Sequence, residues 1–176
     1  MRLSLKRHAA SLCEAVEAIE VEVTRTGAVL ELHYCVGGTI ADLAIPAPGA
    51  SERRNELWQH TCFEAFVRAG DEQCYAEFNF APSTAWAAYR FDGYRSGMRD
   101  ASEISAPRME VRSGEDRLEL RASLELASAN APWQLGLSAV IEERSGRKSY
   151  WALAHPPGAP DFHHEDCFAL QLPPAD

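Results

Sequence analysis

The chain has 176 residues, 46% of them hydrophobic and 24% charged, which is typical of a globular domain large enough to bury its own core. Its formal net charge of −9 argues against a nucleic acid or an anionic membrane as partner, because both bind clustered Lys and Arg. No apolar run approaches the roughly 18 residues of a membrane-spanning helix.

The N-terminus begins with basic residues, as a signal peptide does, but Glu14, Glu17 and Glu20 interrupt any apolar run behind them. We therefore expect a cytoplasmic protein. The five cysteines include no CxxC pair, so the sequence predicts neither a disulfide framework nor a zinc site. Residues 9–16 are the one candidate for a helix.

Alternation of apolar and polar residues predicts strands through the first half of the chain. Residues 19–23 and 30–36 alternate in this way on either side of a turn at Thr26-Gly27. A further extended segment, 39–45, leads into a polar loop that contains Pro and Gly at 46–55.

The middle of the chain contains its densest apolar stretch. Residues 62–68, 74–80 and 86–91 predict three neighbouring strands. Residues 92–106 combine two glycines with mixed charge and predict a long loop.

The second half continues the pattern of short strands. Strands are predicted at 108–111, 118–124, 133–141, 149–154 and 167–172, with a loop at 156–166. About a dozen short, mostly antiparallel strands favour an all-β sandwich or barrel. Because no linker separates the strands into two sets, we expect a single domain over 1–176.

Alternation also places polar side chains together on the faces of the middle strands. Glu64 lies on one face of its strand, and Glu77 and Asn79 share a face of the next. The third strand presents Tyr89 on one side and Arg90 on the other. Carboxylates, an amide, a guanidinium and aromatic rings are groups that bind a sugar. A solvated outer face with cross-strand pairs is the alternative interpretation.

Catalysis has weaker support in the sequence. Glu64 and Glu77 could serve a glycosidase if their carboxyl groups were suitably spaced, but the sequence does not give that spacing. No G-x-S-x-G motif or Gly-rich phosphate loop occurs. The sequence therefore favours a protein that is not an enzyme.

The histidines are candidates for a metal site. The run 163–166 contains His, Glu and Asp, which are metal-binding residue types, but neighbouring residues of an extended chain point to opposite sides. We therefore predict no metal there. His60, which directly precedes the central strand, is the best single histidine for a site.

Several segments together resemble the bacterial DOMON-like domain proteins, which are similar to the family 9 carbohydrate-binding modules. The segments that carry the resemblance are 56–66, 75–80, 86–91, 149–156 and 161–164. It implies a β-sandwich of jelly-roll type with a ligand site on one sheet or at its rim.

The resemblance also implies roles for individual residues. Trp58 and Glu64 have the spacing of a Trp and a strand Glu that both touch the sugar in those modules. Arg90 matches an Arg contributed by a following strand. Phe162 and His163 stand where the modules place a second Trp that completes an aromatic clamp.

Related domains can also bind haem or calcium. Met98 and Met109 could serve as axial ligands, but the chain has no CxxCH motif and no clear calcium-binding loop. The sequence therefore predicts no cofactor.

The leading prediction is non-catalytic binding of a small polar ligand, a carbohydrate by preference, on a DOMON-like sandwich. A haem- or metal-binding redox domain and a protein-interaction domain remain alternatives, and the oligomeric state is open. The predicted site comprises Trp58, Glu64, Glu77, Asn79 and Arg90, with Tyr89, Phe162 and His163 at its rim.

Overall fold

A computed structural model describes residues 1–70, 72–126 and 130–174 of the chain. Within these ranges the chain forms twelve strands and three short 3₁₀ helices, at Ile40–Asp42, Leu57–Gln59 and Glu165–Cys167. Among the described residues, none of the helices has the length and apolar character that a membrane-spanning segment needs. The strands are β1 (Arg2–Arg7), β2 (Val16–Thr26), β3 (Val29–Gly38), β4 (Cys62–Ala69), β5 (Tyr75–Phe80), β6 (Trp86–Phe91), β7 (Arg99–Asp100), β8 (Arg108–Ser113), β9 (Arg117–Glu125), β10 (Trp133–Glu142), β11 (Lys148–Ala152) and β12 (Leu170–Leu172).

The strands form two antiparallel sheets that β1 joins. The first sheet has the order β1-β2-β3-β9-β8, and the second has the order β7-β6-β5-β4-β10-β11, with β12 also pairing with β10. Within β1, residues Arg2–Leu5 pair with β2, whereas Lys6 and Arg7 pair with β11. The predicted all-β sandwich is confirmed.

The core lies between the two sheets. Phe63 and Ala65 of β4 and Phe78 of β5 are fully buried, because alternate residues of each strand face inward. The ring of Tyr34 from the first sheet lies 5.0 Å from that of Phe63, and its hydroxyl donates to the backbone oxygen of Glu64 at 2.7 Å. Each buried aromatic side chain contributes roughly 1.5 to 3 kcal/mol to folding.

The outer face of the second sheet is also covered. Every residue of β5 is buried, so both of its faces are packed. Phe66 and Tyr75 of this outer face pack with Phe162 and Phe168 from the segment that precedes β12. The interpretation of this face as a solvated one is therefore wrong, and its polar side chains lie in a largely apolar setting.

Two local predictions were wrong. Residues 9–15 form a turn and a loop instead of a helix, because the backbone N–H groups of Glu14 and Ala15 donate to the carboxylate of Glu143 at 2.9 and 3.2 Å. Residues 39–45 contain a 3₁₀ turn and a single bridge instead of a strand. The predicted loop at 92–106 is present apart from the two-residue strand β7.

Gly38 is the most constrained glycine of the fold. Its φ is +148°, and a Cβ there would lie 2.1 Å from the backbone oxygen of Ala15. We expect Gly38→Ala to lower the free energy of unfolding by about 3 kcal/mol, because backbone strain and overpacking add. Gly37→Ala is the matched control, since a Cβ there meets nothing within 4 Å. Equal losses for the two variants in urea unfolding would contradict this account.

Candidate functional site

A cavity of about 630 Å³ lies on the outer face of the second sheet. Strands β4, β5 and β10 form its floor, and the walls come from segments around the sheet. This volume lies within the range of about 300 to 1,000 Å³ found for small-molecule sites. The lining residues are Trp58, Gln59, Glu64, Phe66, Glu77, Phe91, Arg95, Met98, Val140, Lys148, Tyr150, Pro160, Phe162 and His163.

Two carboxyl groups lie at the floor of the cavity. The register of β4 and β5 pairs Glu64 with Asn79, which places Glu77 on the same face and diagonally across from Glu64. Both Glu residues line the cavity, although they are only 2% and 5% exposed. A ligand in the cavity would therefore meet two acidic groups that water barely reaches.

Neutral hydrogen-bond donors hold these two acids. Ser138 Oγ donates to Glu64 Oε2 at 2.9 Å, and Asn79 Nδ2 donates to Glu77 Oε1 at 2.7 Å. Burial, together with the charge of nearby Glu77, raises the pKa of Glu64 to about 8, although the hydrogen bond from Ser138 opposes the change. Burial also raises the pKa of Glu77, to about 7, although Asn79 and Arg95 oppose the change. At neutral pH the pair therefore retains a proton.

His163 presents its ring nitrogen Nε2 towards Glu77. The backbone N–H of Arg95 donates to the Tyr75 hydroxyl at 3.3 Å, and that hydroxyl lies 2.8 Å from His163 Nδ1. Burial lowers the pKa of His163 to about 4, so the ring is neutral at pH 7. With the Tyr75 hydrogen directed to Nδ1, the ring hydrogen lies on Nε2, 3.8 Å from Glu77 Oε2.

Asp161 fixes two walls of the cavity relative to each other. Its carboxylate accepts from Arg95 Nη2 at 2.8 Å, from the Tyr94 hydroxyl, and from the backbone N–H of His163 at 3.1 Å. Burial alone would raise the pKa of Asp161, but the hydrogen bonds from Tyr94 and Arg95 outweigh it and lower that pKa. The loop after β6 and the segment around Phe162 are thereby joined.

Asp161→Ala is expected to release this contact. The free energy of unfolding should fall by about 1 to 3 kcal/mol, because charged hydrogen bonds are lost. Since the folded-state pKa of Asp161 is lowered, this contribution is present above its unfolded pKa and is lost as the pH falls through the folded value. Urea unfolding and limited proteolysis measure both effects.

Asp92→Ala is the control for Asp161→Ala. Asp92 also pairs with an arginine, Arg99, but both side chains are more than half exposed, so the loss should be below about 1 kcal/mol. If both aspartate variants lost the same stability and were cut at the same rate, the proposed role of Asp161 would be wrong.

The structure brings most of the predicted site residues together. Asn79 lies beneath the cavity, fully buried, and bonds Glu77. Tyr89 shares the face but donates to Asn55 Oδ1 at 3.1 Å and does not line the cavity. The predicted residues that line it are Trp58, Glu64, Glu77, Phe162 and His163.

Arg90 does not share this cavity, and its predicted position was wrong. On β6 it alternates with Tyr89 and therefore projects from the opposite face of the sheet, where its Nε donates to Glu103 at 2.9 Å. Arg95 supplies a guanidinium instead, from the turn after β6, where its own φ is +50°. Strand alternation could not locate Arg95, because the residue follows an irregular turn.

The sequence reasoning also missed several aromatic lining residues. Phe66 and Phe91 follow from alternation, since they share faces with Glu64 and Tyr89. Tyr150 lies on β11, and its contact with the cavity depends on the packing of Phe162 near it, with ring centroids 6.2 Å apart. No local sequence signal gives that contact.

The histidine candidates are dispersed. His60 lies outside the cavity and its Nδ1 is 2.7 Å from Glu142 Oε2. His164 accepts from the backbone N–H of Asp166, so its ring caps a short helix, whereas His163 faces the cavity. Among the described residues no group of three or more His, Cys, Asp or Glu side chains could hold a metal ion.

The chain is similar to known proteins in its fold. No family model matches the chain, and no curated protein matches it. Solved structures of carbohydrate-binding β-sandwich proteins do match, so the chain shares its fold with that class of protein.

Two of these structures illustrate the likeness. A candidate carbohydrate-binding protein from Bacteroides uniformis matches with a TM-score of 0.67 and 13% identity, over 95% of this chain and 83% of that one. A family 9 carbohydrate-binding module from Caldicellulosiruptor kristjanssonii, in complex with cellotriose, matches with a TM-score of 0.50 and 10% identity, over 85% and 70%.

Proposed function

We propose that this chain is a non-catalytic, DOMON-like domain that binds a carbohydrate in the cavity on its second sheet. The observation that carries the proposal is the cavity itself, whose walls are aromatic and whose buried floor is polar, on a fold shared with carbohydrate-binding proteins. We further propose that the chain is a single domain and that it functions in the cytoplasm.

Trp58 is the proposed stacking residue. It lies in the 3₁₀ turn before β4, lines the cavity and is 47% exposed, which is unusual for so large an apolar ring. The apolar face of a pyranose covers such a ring and removes both from water. Phe162, on another wall, is buried and limits the width of the cavity.

The floor suits hydroxyl groups because it offers both kinds of hydrogen-bonding partner. At neutral pH a carboxyl group of the Glu64–Glu77 pair that keeps its proton can donate, and the ionised one can accept. A sugar hydroxyl does both. His163 Nε2 and the Arg95 guanidinium add donors at the walls.

Calorimetric titration with a panel of oligosaccharides, cellotriose among them, tests this proposal. We expect saturable binding, a rise of the melting temperature with ligand concentration, and no release of cleaved sugar. Absence of binding by every saccharide of the panel would contradict the proposed function, and so would turnover of a glycoside.

A further inference from the structure

Among the described residues no Lys or Arg side chain forms an ion pair with either of the two acids at the cavity floor. The nearest ring nitrogen to Glu77 belongs to His163, at 3.8 Å, and that ring is neutral at pH 7. The Arg95 guanidinium pairs with Asp161 at 2.8 Å, and its charge lowers the pKa of Glu77 without cancelling the rise that burial causes. Lys148 also lines the cavity, but it lies on β11, which β10 separates from β4.

Burial of carboxyl groups without a cation is costly. A buried carboxylate is normally paired, or it takes up a proton. Here Ser138 and Asn79 supply one neutral hydrogen bond each to Glu64 and Glu77, which is less than two buried charges require. The floor therefore suits a positive charge that lies closer to the two acids than any Lys or Arg of the described residues.

The walls of the cavity also suit a positive charge. Trp58, Phe91 and Tyr150 line the space above the two acids, together with Phe66 and Phe162. Aromatic faces attract ammonium groups, and the attraction strengthens as water is excluded. The net charge of −9 attracts cations to the whole molecule.

We infer that the carbohydrate bound in this cavity carries a free protonated amine, which lies against Glu64 and Glu77, so that the protein prefers amino sugars to neutral sugars. This inference rests on the proposed carbohydrate-binding function. It goes beyond that function because it names the class of sugar.

Proton release provides one readout of this arrangement. At pH 6 the amine of the ligand is charged, whereas Glu64 and Glu77, with raised pKa values, are largely protonated. Arrival of an ammonium group ionises them, and at least one proton leaves a carboxyl group for the solvent. A neutral sugar leaves the protons in place. The groups near the floor that could titrate or exert charge are Glu64, Glu77, Cys62, Tyr75, Tyr89, His163, Arg95 and Lys148.

Three trisaccharides with the same β-1,4-linked backbone test the contribution of the amine to binding. They are the glucosamine trimer, cellotriose and the N-acetylglucosamine trimer, which carry an ammonium, a hydroxyl and an acetamide at the same carbon. We expect the glucosamine trimer to bind at least tenfold more tightly than the other two. Calorimetry in buffers of different ionisation enthalpy should show proton release for that ligand alone.

Variants test whether the acids cause the preference. Glu64→Gln and Glu77→Gln keep the shape of the side chain and remove its charge, so the affinity ratio of the glucosamine trimer to cellotriose should fall to about one in each. Glu103→Gln is the control, because Glu103 pairs with Arg90 on the opposite side of β6 and should leave the ratio unchanged.

The outcomes separate the two proposals. Equal or tighter binding of cellotriose would overturn the amine inference and leave carbohydrate binding intact. A preference for the glucosamine trimer that survived in both Gln variants would also overturn it, because the net charge of the surface would then be its cause. Binding of none of the three saccharides, with tetramethylammonium bound, would overturn the carbohydrate function and keep the ammonium site.

Discussion

Glu64→Gln is expected to stabilise the protein at pH 8, by roughly 2 to 4 kcal/mol in the free energy of unfolding. Glu64 is 2% exposed, and burial raises its pKa to about 8 from an ordinary value of 4.5. The amide of Gln has no charge to bury and can still accept the hydrogen bond from Ser138. Substitution of a residue that serves binding but lowers the free energy of unfolding typically stabilises the protein and alters binding.

The direction of the pH dependence follows from the two states. Because the folded protein holds protons on Glu64 and Glu77 that the unfolded chain has released, stability falls as the pH rises from about 4.5 to about 8. His163 has a lowered pKa and acts oppositely below pH 6.5, where only the unfolded chain takes up its proton. The acid pair should therefore dominate between pH 6.5 and 8.

Urea unfolding at several pH values in that window measures the effect. The slope for the unaltered chain should approach about 1.4 kcal/mol per pH unit for each proton, and Glu64→Gln should flatten it. Glu103→Gln, at an exposed ion pair, should follow the unaltered chain. A Glu64→Gln protein that was less stable than the unaltered chain at pH 8 would show that the carboxylate stabilises the fold.

Trp58→Ala is expected to weaken binding of the preferred trisaccharide about 30-fold, which corresponds to about 2 kcal/mol. The ring provides the most exposed aromatic surface of the cavity walls, and its removal deletes the stacking contact. Because Trp58 is 47% exposed, the loss of stability should stay below about 1 kcal/mol. Leu12→Ala, at an exposed site outside the cavity, is the control.

Fluorescence quenching gives an independent measurement at the same residue. Trp86, Trp133 and Trp151 are 1% to 5% exposed, so quenching by acrylamide reports mainly on Trp58. Ligand should protect this emission, and Trp58→Ala should remove the quenchable part. Full binding by Trp58→Ala, or unchanged quenching at saturation with ligand, would show that the sugar does not stack there.

The fold was predictable because its strands alternate strictly. Residues 19–23 and 133–141 show a period of two that has no helical counterpart, and both lie in strands. Strand β1 was not predicted, since its pattern in Arg2–Arg7 is short and mostly polar. It is held by pairing with two distant strands, β2 and β11, which no local pattern reveals.

The polar residues at the floor of the site were predictable from the same alternation of strand residues. Glu64, Glu77 and Asn79 share a face because β4 and β5 pair in a register that alternation permits. The prediction for Arg90 was wrong because it assigned residues from both faces of β6 to the same binding site. The correct guanidinium, Arg95, depends on a turn and on Asp161 from 66 residues further along the chain.

Burial of the acids was the feature that sequence could not give. On periodicity alone Glu64 and Glu77 could face water, and a solvated face was the simpler interpretation. The segment around Phe162 and Phe168 covers the sheet and removes that water. The raised pKa of each acid, and with it the preference proposed for an amine, depends on that covering segment.

A crystal structure of the protein with its tightest-binding trisaccharide tests the central claim most directly. The account predicts one sugar ring stacked on Trp58, with a polar group of that sugar about 3 Å from a carboxyl oxygen of Glu64 or Glu77. A trisaccharide bound elsewhere, such as beside His60 and Glu142, with the cavity on the second sheet empty, would contradict it.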